Sequence, residues 1–180
     1  MLDPLKRNHI LTELLWEPTD LSQREPAVQA LFRGMVKGNR KLQYRDAEGK
    51  PALGYCNKIS TLYEPFAVYI KELYGDGIYF SHEDDNLTYL LIIHKGRVVA
   101  GTDCFIERML FSKLITPAET YGGLEVTALS ETQIESVIEK CNARQLHLKR
   151  RRRFFIGCIF MGGVILLTVL ALTLHFWVVG

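Results

Sequence analysis

The sequence predicts an α+β domain, a mixed and largely antiparallel sheet with packed helices, followed by one C-terminal transmembrane helix. Three patterns support this fold class. Apolar residues recur at helical spacing within 25–37 and 61–74, short strands separated by turns occupy 77–101, and a stretch without charged residues follows at 154–179. The predicted organisation is a cytoplasmic α+β domain over 1–142, a basic juxtamembrane linker over 143–153 and a membrane helix over 154–179.

The first predicted elements are a short segment, a helix and a hairpin. Residues 9–15 end before Trp16 and Pro18 and fit either a strand or a short helix. A helix is predicted over 25–37, with Pro26 in its first turn. Its apolar stripe repeats at i, i+3, i+4, i+7 and i+8 and comprises Val28, Leu31, Phe32, Met35 and Val36. Strands at 41–46 and 52–56 flank a turn at 47–50, which predicts a hairpin.

A second helix and an antiparallel meander follow. The helix is predicted over 61–74, with Leu62, Phe66, Tyr69, Ile70 and Leu73 on one face. Strands at 77–81, 87–94 and 97–101 are joined by an acidic turn and by Lys95-Gly96. The continuous apolar run over 90–93 predicts a central strand that is covered on both faces.

The last part of the domain is predicted to contain two helices and a strand. The first helix spans 105–115, with Ile106, Met109, Leu110 and Ile115 pointing inward and Asp103 as its cap. A final strand at 124–129 precedes Ser130, which fits an N-cap with Gln133 as its capping-box partner. The stripe of the following helix comprises Ile134, Val137, Ile138 and Cys141.

The C-terminal segment predicts an anchor in the membrane. Residues 154–179 are 26 positions without Asp, Glu, Lys or Arg, about 39 Å as a helix, which is longer than a bilayer core of about 30 Å. A basic run precedes this stretch and consists of Lys149, Arg150, Arg151, Arg152 and Arg153. Basic residues beside a span stay on the cytoplasmic side, so a cytoplasmic N-terminus is predicted. Cys158 and Gly162 have the spacing of small residues that allow helices to approach closely.

Composition argues against several classes of function. All 20 Asp and Glu precede residue 149, with 17 of the 22 Lys and Arg, so the domain has a net charge near −3. This acidic balance argues against nucleic acid as a partner. The four cysteines form no metal-binding pattern, and the glycines at 75 and 77 follow a helix instead of preceding one, unlike a phosphate loop. No cofactor, metal or catalytic residue is predicted.

Residues 77–103 carry a recognisable motif. Gly77-Ile78-Tyr79-Phe80 leads through an acidic turn into Thr88-Tyr89-Leu90-Leu91-Ile92-Ile93, and His94-Lys95-Gly96-Arg97-Val98-Val99 and Gly101-Thr102-Asp103 follow. This pattern resembles the cytoplasmic part of the pilin accessory (PilO) proteins of type IVb pilus systems. Leu15-Trp16, a helix ending near Gly34, and Leu53-Gly54 are also similar to that family, so the resemblance covers residues 9–105.

The resemblance implies a reduced actin-like domain and a role like that of the bitopic L-type protein of type II secretion. Such a protein is a non-enzymatic adaptor in the inner membrane. The resemblance also implies an assembly or secretion ATPase and a polytopic platform protein as partners. The nucleotide-binding loops of the actin fold have no counterpart in this chain, so ATP binding is not predicted.

Two turns are the predicted partner-binding sites, because recognition residues commonly lie in loops on a rigid scaffold. The candidates are Glu83, Asp84 and Asp85 in the first turn and Lys95 and Arg97 in the second. Two alternatives stay open. In the first, the chain is a tail-anchored membrane enzyme or regulator, and His82, His94 and Asp103 converge in space. In the second, it is a structural subunit that forms a homo-oligomer through Cys158 and Gly162.

Overall fold

The computed structural model describes residues 3–57, 63–115 and 123–179. Within the last stretch, the side chains at 169–172, 174–176 and 178–179 are not described. The chain divides into two compact units, Met1–Cys141 and Asn142–Gly180. The first unit is an α+β domain with mixed sheets, as the sequence predicts.

The larger sheet is built around one long strand. Its strands are β6 (Gly77–His82), β7 (Leu87–His94), β8 (Arg97–Val98), β9 (Cys104–Glu107) and β10 (Val126–Ala128). β6, β7 and β8 form the predicted antiparallel meander, and β10 pairs in parallel with β6. β9 pairs with the first half of β7, from Leu87↔Glu107 to Leu90↔Cys104. The chain between β8 and β9 therefore leaves the ladder over 99–103, with its turn at Ala100–Gly101.

A smaller sheet contains the predicted hairpin. β3 (Arg40–Arg45) and β4 (Pro51–Cys56) are antiparallel, and β2 (Leu15–Trp16) pairs with the other edge of β4. The Asp46 carboxylate accepts hydrogen bonds from the Glu48 and Lys50 N–H groups and so fixes the turn. A separate parallel pair joins β1 (Ile10–Leu11) to β5 (Glu64–Pro65). The segment at 9–16 is thus extended, apart from His9 and Glu13, which have positive φ.

The core lies on both faces of β7. Tyr89, Leu91 and Ile93 face the main cluster, which also contains α3 (Phe66–Tyr74) and the first turns of α5 (Glu131–Val179). Leu90 and Ile92 face a second cluster with Phe111 of α4 (Arg108–Ile115). This confirms the prediction of a central strand covered on both sides. The helix predicted over 61–74 begins at Phe66, and the positions 61–62 lie outside the described residues.

The remaining helices are α1 (Asp3–Arg7) and α2 (Pro26–Val36), with a 3₁₀ turn at Leu21–Gln23 between them. α2 begins and ends one residue inside the predicted range of 25–37, and none of its residues is buried. Phe32 makes an edge contact with Tyr55 of β4 at 5.8 Å between ring centroids. Most of the predicted apolar stripe is therefore at the surface.

The helix predicted over 105–115 begins three residues later than expected. Cys104–Glu107 is strand β9, because the open edge of β7 offers its backbone groups hydrogen-bond partners. The helical register also differs: Phe111 points inward, whereas Met109 and Leu110, which we expected to be inward, are exposed. The predicted inward face of this helix was therefore wrong at these two positions.

α5 begins after Ser130, as predicted. The Ser130 N–H donates to Gln133 Oε1 at 2.9 Å, and the Gln133 N–H donates to Ser130 Oγ at 3.3 Å, which is a capping box. α5 ends at Val179, so the predicted linker and the predicted span both lie within it. Over the described positions, no helix combines the length and the apolarity needed to cross a bilayer. The transmembrane part of the predicted fold stays a prediction.

Candidate functional site

Hydrogen bonds shape the acidic turn between β6 and β7 and attach it to α4. Asp84 Oδ1 accepts hydrogen bonds from the Asn86 N–H at 2.8 Å and the Leu87 N–H at 2.7 Å. The Arg108 N–H, at the start of α4, donates to the Asn86 carbonyl at 2.8 Å. Asp84 therefore shapes the turn, and the exposed Glu83 and Asp85 are displayed beside the first turn of α4.

α4 exposes three large apolar side chains on the side away from the core. Met109 is 70% exposed, Leu110 48% and Leu114 45%, whereas Phe111 is buried. A cleft of about 690 Å³ adjoins Met109 and is lined by Asp85, Asn86, Leu87, Glu107, Arg108, Met109 and Ser112. We call the three exposed side chains and this cleft the α4 surface. Apolar side chains beside polar cleft walls are typical of sites that bind another protein.

The second candidate turn lies at the opposite end of β7. That strand has eight residues, so the two turns are roughly 26 Å apart at 3.3 Å per residue. Lys95 and Gly96 have φ of +52° and +67°, and the Asp76 carboxylate accepts hydrogen bonds from both of their N–H groups. The structure therefore does not bring the two predicted partner-binding turns into one site.

Arg97 has a structural role in this second turn. Its Nη2 donates to the Pro51 carbonyl at 3.2 Å, and its Nε lies 3.8 Å from an Asp46 carboxylate oxygen. The neighbouring Ala47 N–H donates to the Lys95 carbonyl, and the Tyr44 hydroxyl accepts from the Val98 N–H at 2.8 Å. These contacts fasten the smaller sheet to the larger one. Lys95 is exposed here, as is Asp76, whereas Arg97 is half-buried.

The sequence predicted that Asp103 caps a helix, and this prediction was wrong. The Asp103 carboxylate is 3% exposed. It accepts four hydrogen bonds: from the N–H groups of Glu13 and Leu14, from Trp16 Nε1 at 2.8 Å and from the Tyr89 hydroxyl at 2.6 Å. Burial raises the pKa of Asp103, although the four donors oppose this shift. Burial and the nearby Asp103 charge raise the pKa of Tyr89 well above its usual value. These four hydrogen bonds of Asp103 join the N-terminal segment to the larger sheet.

The three residues of the enzyme alternative do not converge. His82 Nδ1 is 2.8 Å from Thr88 Oγ1 at one end of β7, and His94 is exposed at the other end, paired with Arg97. Asp103 is enclosed by its donors. His82 instead lines a second cleft of about 660 Å³ with Ser81, Glu131 and Glu135. In the part of the chain that the structure describes, no cluster of His, Cys, Asp or Glu could hold a metal ion.

The second unit carries the remaining predicted residues. Lys149, Arg150, Arg151, Arg152 and Arg153 are all exposed on α5. Cys158 and Gly162 are one helical turn apart on one face, and both are exposed. A Cβ added at Gly162 would meet no atom within 4 Å, so the position has room for a neighbour.

Sequence reasoning found the acidic turn but missed α4 as part of the same surface. Ile106, Met109 and Leu110 fit one helical stripe and Phe111 and Ile115 fit another, so spacing alone could not select the buried face. The chain matches no protein-family model, no curated protein and no solved structure. The resemblance to the PilO proteins stays a prediction.

Proposed function

We propose that the chain is a non-enzymatic adaptor that binds a partner protein through the α4 surface. The observation that carries this proposal is the outward exposure of Met109, Leu110 and Leu114 on α4, with the cleft at the acidic turn beside Met109. Exposing apolar side chains of this size to water is unfavourable in free energy, and contact with a partner would remove that surface from water. The cleft carries the acids Asp85 and Glu107 and the base Arg108, so the matching surface of the partner is apolar with a rim that contains both charges.

The resemblance to PilO proteins supports the choice of partner. The adaptor would recruit the assembly ATPase, or the polytopic platform protein, of a type IVb pilus or related secretion machine. Residues 154–179 would anchor it in the inner membrane as a single span, with Lys149–Arg153 holding the domain on the cytoplasmic side. Close packing at Cys158 and Gly162 would allow homo-oligomers within the membrane.

A pull-down of the tagged full chain from detergent-solubilised membranes tests the adaptor. The α4 variant carries Met109→Ser and Leu110→Ser, and a matched control carries Leu31→Ser and Met35→Ser on the exposed side of α2. Each buried apolar side chain contributes about 1.5–3 kcal/mol, so we expect recovery of the ATPase or platform protein to fall at least about tenfold in the α4 variant alone. Equal recovery from both variants and the unchanged chain would contradict the proposal.

A tail-anchored enzyme or regulator is the second candidate, favoured by the cleft beside His82. That cleft combines the imidazole and the carboxylates of Glu131 and Glu135 with the apolar Leu129 and Ile134. Convergent polar groups in an apolar cleft are typical of small-molecule sites. Titration of a small-molecule panel into the chain, followed by the His82 ring resonances, tests it. Shifts of the His82 resonances that Glu135→Gln abolishes would support this candidate, and unchanged resonances would oppose it.

A further inference from the structure

We infer that α2 and the outer face of the smaller sheet form a docking site for an anionic lipid surface. This inference rests on the proposed function, because it takes the domain to be tethered beside a membrane. The site comprises the exposed apolar side chains Val28, Leu31 and Met35 and the exposed basic side chains Arg33, Lys37, Lys41 and Arg45. We call this the α2 surface.

The apolar part of the α2 surface is exposed although α2 is amphipathic. Leu31 is 67% exposed, Met35 53% and Val28 39%. Phe32 and Val36, on the adjoining side of the helix, are half-buried, and Phe32 contacts the Tyr55 ring. α2 therefore uses only one edge of its apolar stripe to pack on the domain and leaves three large side chains for another contact.

The basic residues of β3 lie on the same side of the smaller sheet as α2. Lys41 pairs with Tyr55 across the ladder, so both side chains are on one face, and Tyr55 is the residue that α2 covers. Arg45 is on this face as well, because side chains alternate along a strand. The opposite face, with Ala52, Cys56 and Trp16, is buried in the domain.

The charge of this stretch is one-sided. Residues 26–45 contain the basic residues Arg33, Lys37, Arg40, Lys41 and Arg45 and no Asp or Glu, although the domain as a whole is acidic. Glu25 is exposed at the start of α2, and two other acids near this face are engaged. Glu17 accepts a hydrogen bond from the Tyr55 hydroxyl at 3.1 Å, and Asp20 forms an ion pair with Arg24 at 2.9 Å. The surface therefore complements a negatively charged one.

A lipid surface fits these features better than a protein partner. The cleft beside α2 is about 180 Å³, against about 690 Å³ beside α4, so it offers less room for the anchoring side chains that protein partners insert. α2 itself contains one basic residue, Arg33, and Lys37, Lys41 and Arg45 follow it; a surface that combines exposed apolar and basic side chains is typical of attachment to an anionic membrane.

Hydrogen exchange of the full chain in nanodiscs tests the docking site. One set of discs contains phosphatidylcholine alone, and in the other about a third of the lipid is phosphatidylglycerol. We expect the amides of residues 26–37 to exchange about tenfold more slowly in the anionic discs. The reason is that each basic residue near an anionic surface contributes about 1 kcal/mol. Salt at about 1 M shortens the Debye length to roughly 3 Å and should remove most of this protection. The Leu31→Ser, Met35→Ser variant should lose the protection, and the Met109→Ser, Leu110→Ser variant should keep it.

Three outcomes would overturn the inference. Exchange of residues 26–37 in both kinds of disc that is as fast as in lipid-free detergent would show that the α2 surface does not contact lipid. Exchange that is slower than in detergent, but equally slow in both kinds of disc and independent of salt, would show that charge does not drive the contact. Slowing that depends on protein concentration in lipid-free detergent would identify a second copy of the chain as the occupant. Failure of the proposed anchor has a different signature: the chain would elute apart from the discs, and its flotation with anionic vesicles would then measure the α2 surface by itself.

Discussion

The Asp103 carboxylate joins three parts of the domain that are far apart in the chain. Its donors come from residues 13–16 and from Tyr89, and none of them is nearer than 14 positions along the sequence. All four donors belong to buried or half-buried groups that would otherwise need water. The Glu13 N–H reaches the carboxylate because Glu13 adopts a positive φ of 61°. This one side chain therefore fixes the conformation of the N-terminal segment.

Replacement of this carboxylate should destabilise the domain strongly. Asp103→Asn keeps the shape but turns an amide donor toward groups that also donate, and a buried donor without an acceptor costs about 1–3 kcal/mol. We expect the free energy of unfolding to fall by about 2–3 kcal/mol in urea titrations followed by tryptophan fluorescence. Asp84→Asn is the matched control, because its Oδ1 can still accept both turn hydrogen bonds. Similar values for the two variants would refute the role of Asp103.

The contribution of Asp103 should also depend on pH. Burial raises its pKa above the usual value of 3.8. The folded protein therefore binds more protons than the unfolded chain at pH values between this usual pKa and the raised pKa of the folded state. The stability it contributes is therefore full below about pH 3.8 and declines as the pH rises through the folded pKa. The difference in unfolding free energy between the unchanged chain and Asp103→Asn should narrow over this range. A difference that widens with pH would mean that the four donors outweigh burial.

Elements whose signals are local were predictable from the sequence. α2, the β3–β4 hairpin, the meander and the capped start of α5 depend on Pro26, Gly49, Gly96 and Ser130, whose preferences act within a few residues. β9 was not predictable, since its strand conformation depends on the edge of β7, whose pairing partners lie 14 to 20 positions earlier. The exposed side of α4 was missed for the same reason. The spacing of apolar residues in α4 allows either of two sides to be buried, and the packing of α4 on the rest of the domain decides between them.

The capping box at the start of α5 is a local device that can be tested. Ser130→Ala removes the hydroxyl that accepts from the Gln133 N–H and should lower the free energy of unfolding by about 1 kcal/mol. Ser136→Ala is the control within the same helix, because the Ser136 hydroxyl only donates to the Thr132 carbonyl. Alanine there should be neutral or slightly stabilising. Thermal unfolding of both variants, monitored by circular dichroism, would refute the cap if the two melted alike.

The junction between the two sheets is a contact that glycine permits. A Cβ at Gly96 would lie 2.5 Å from the Ala47 nitrogen, whereas a Cβ at Gly49 would meet nothing within 4 Å. Both glycines have positive φ, so alanine costs about 1–2 kcal/mol at either position. Gly96→Ala should cost about 1–3 kcal/mol more than Gly49→Ala, because the hairpin backbone must move. Equal unfolding free energies in urea would mean that the sheets are not held together at this turn.

At the scale of the whole molecule, charge is segregated. The first unit contains a basic α2 surface and an acidic turn beside α4, and the second contains an exposed run of five basic residues. Composition predicted the net charge and the basic run, because both are sums over the sequence. The distribution within the domain depends on which side of the smaller sheet α2 covers, and the Phe32–Tyr55 contact decides that. The two proposed contacts, with a protein and with lipid, therefore use different surfaces of one domain.

The proposed anchor makes the last prediction, and it concerns α5. Ile165→Arg with Leu167→Arg places two charges in the proposed span, at about 2.5–3.5 kcal/mol each near the centre of a bilayer. We expect this variant to move from the carbonate-resistant membrane fraction to the soluble fraction. Leu146→Arg with Leu148→Arg is the matched control, because these two leucines are exposed on the same helix before the basic run. The control should stay with the membrane. If the unchanged chain is itself extracted by carbonate, the anchor is refuted, and if both variants are retained, residues 154–179 are not its position.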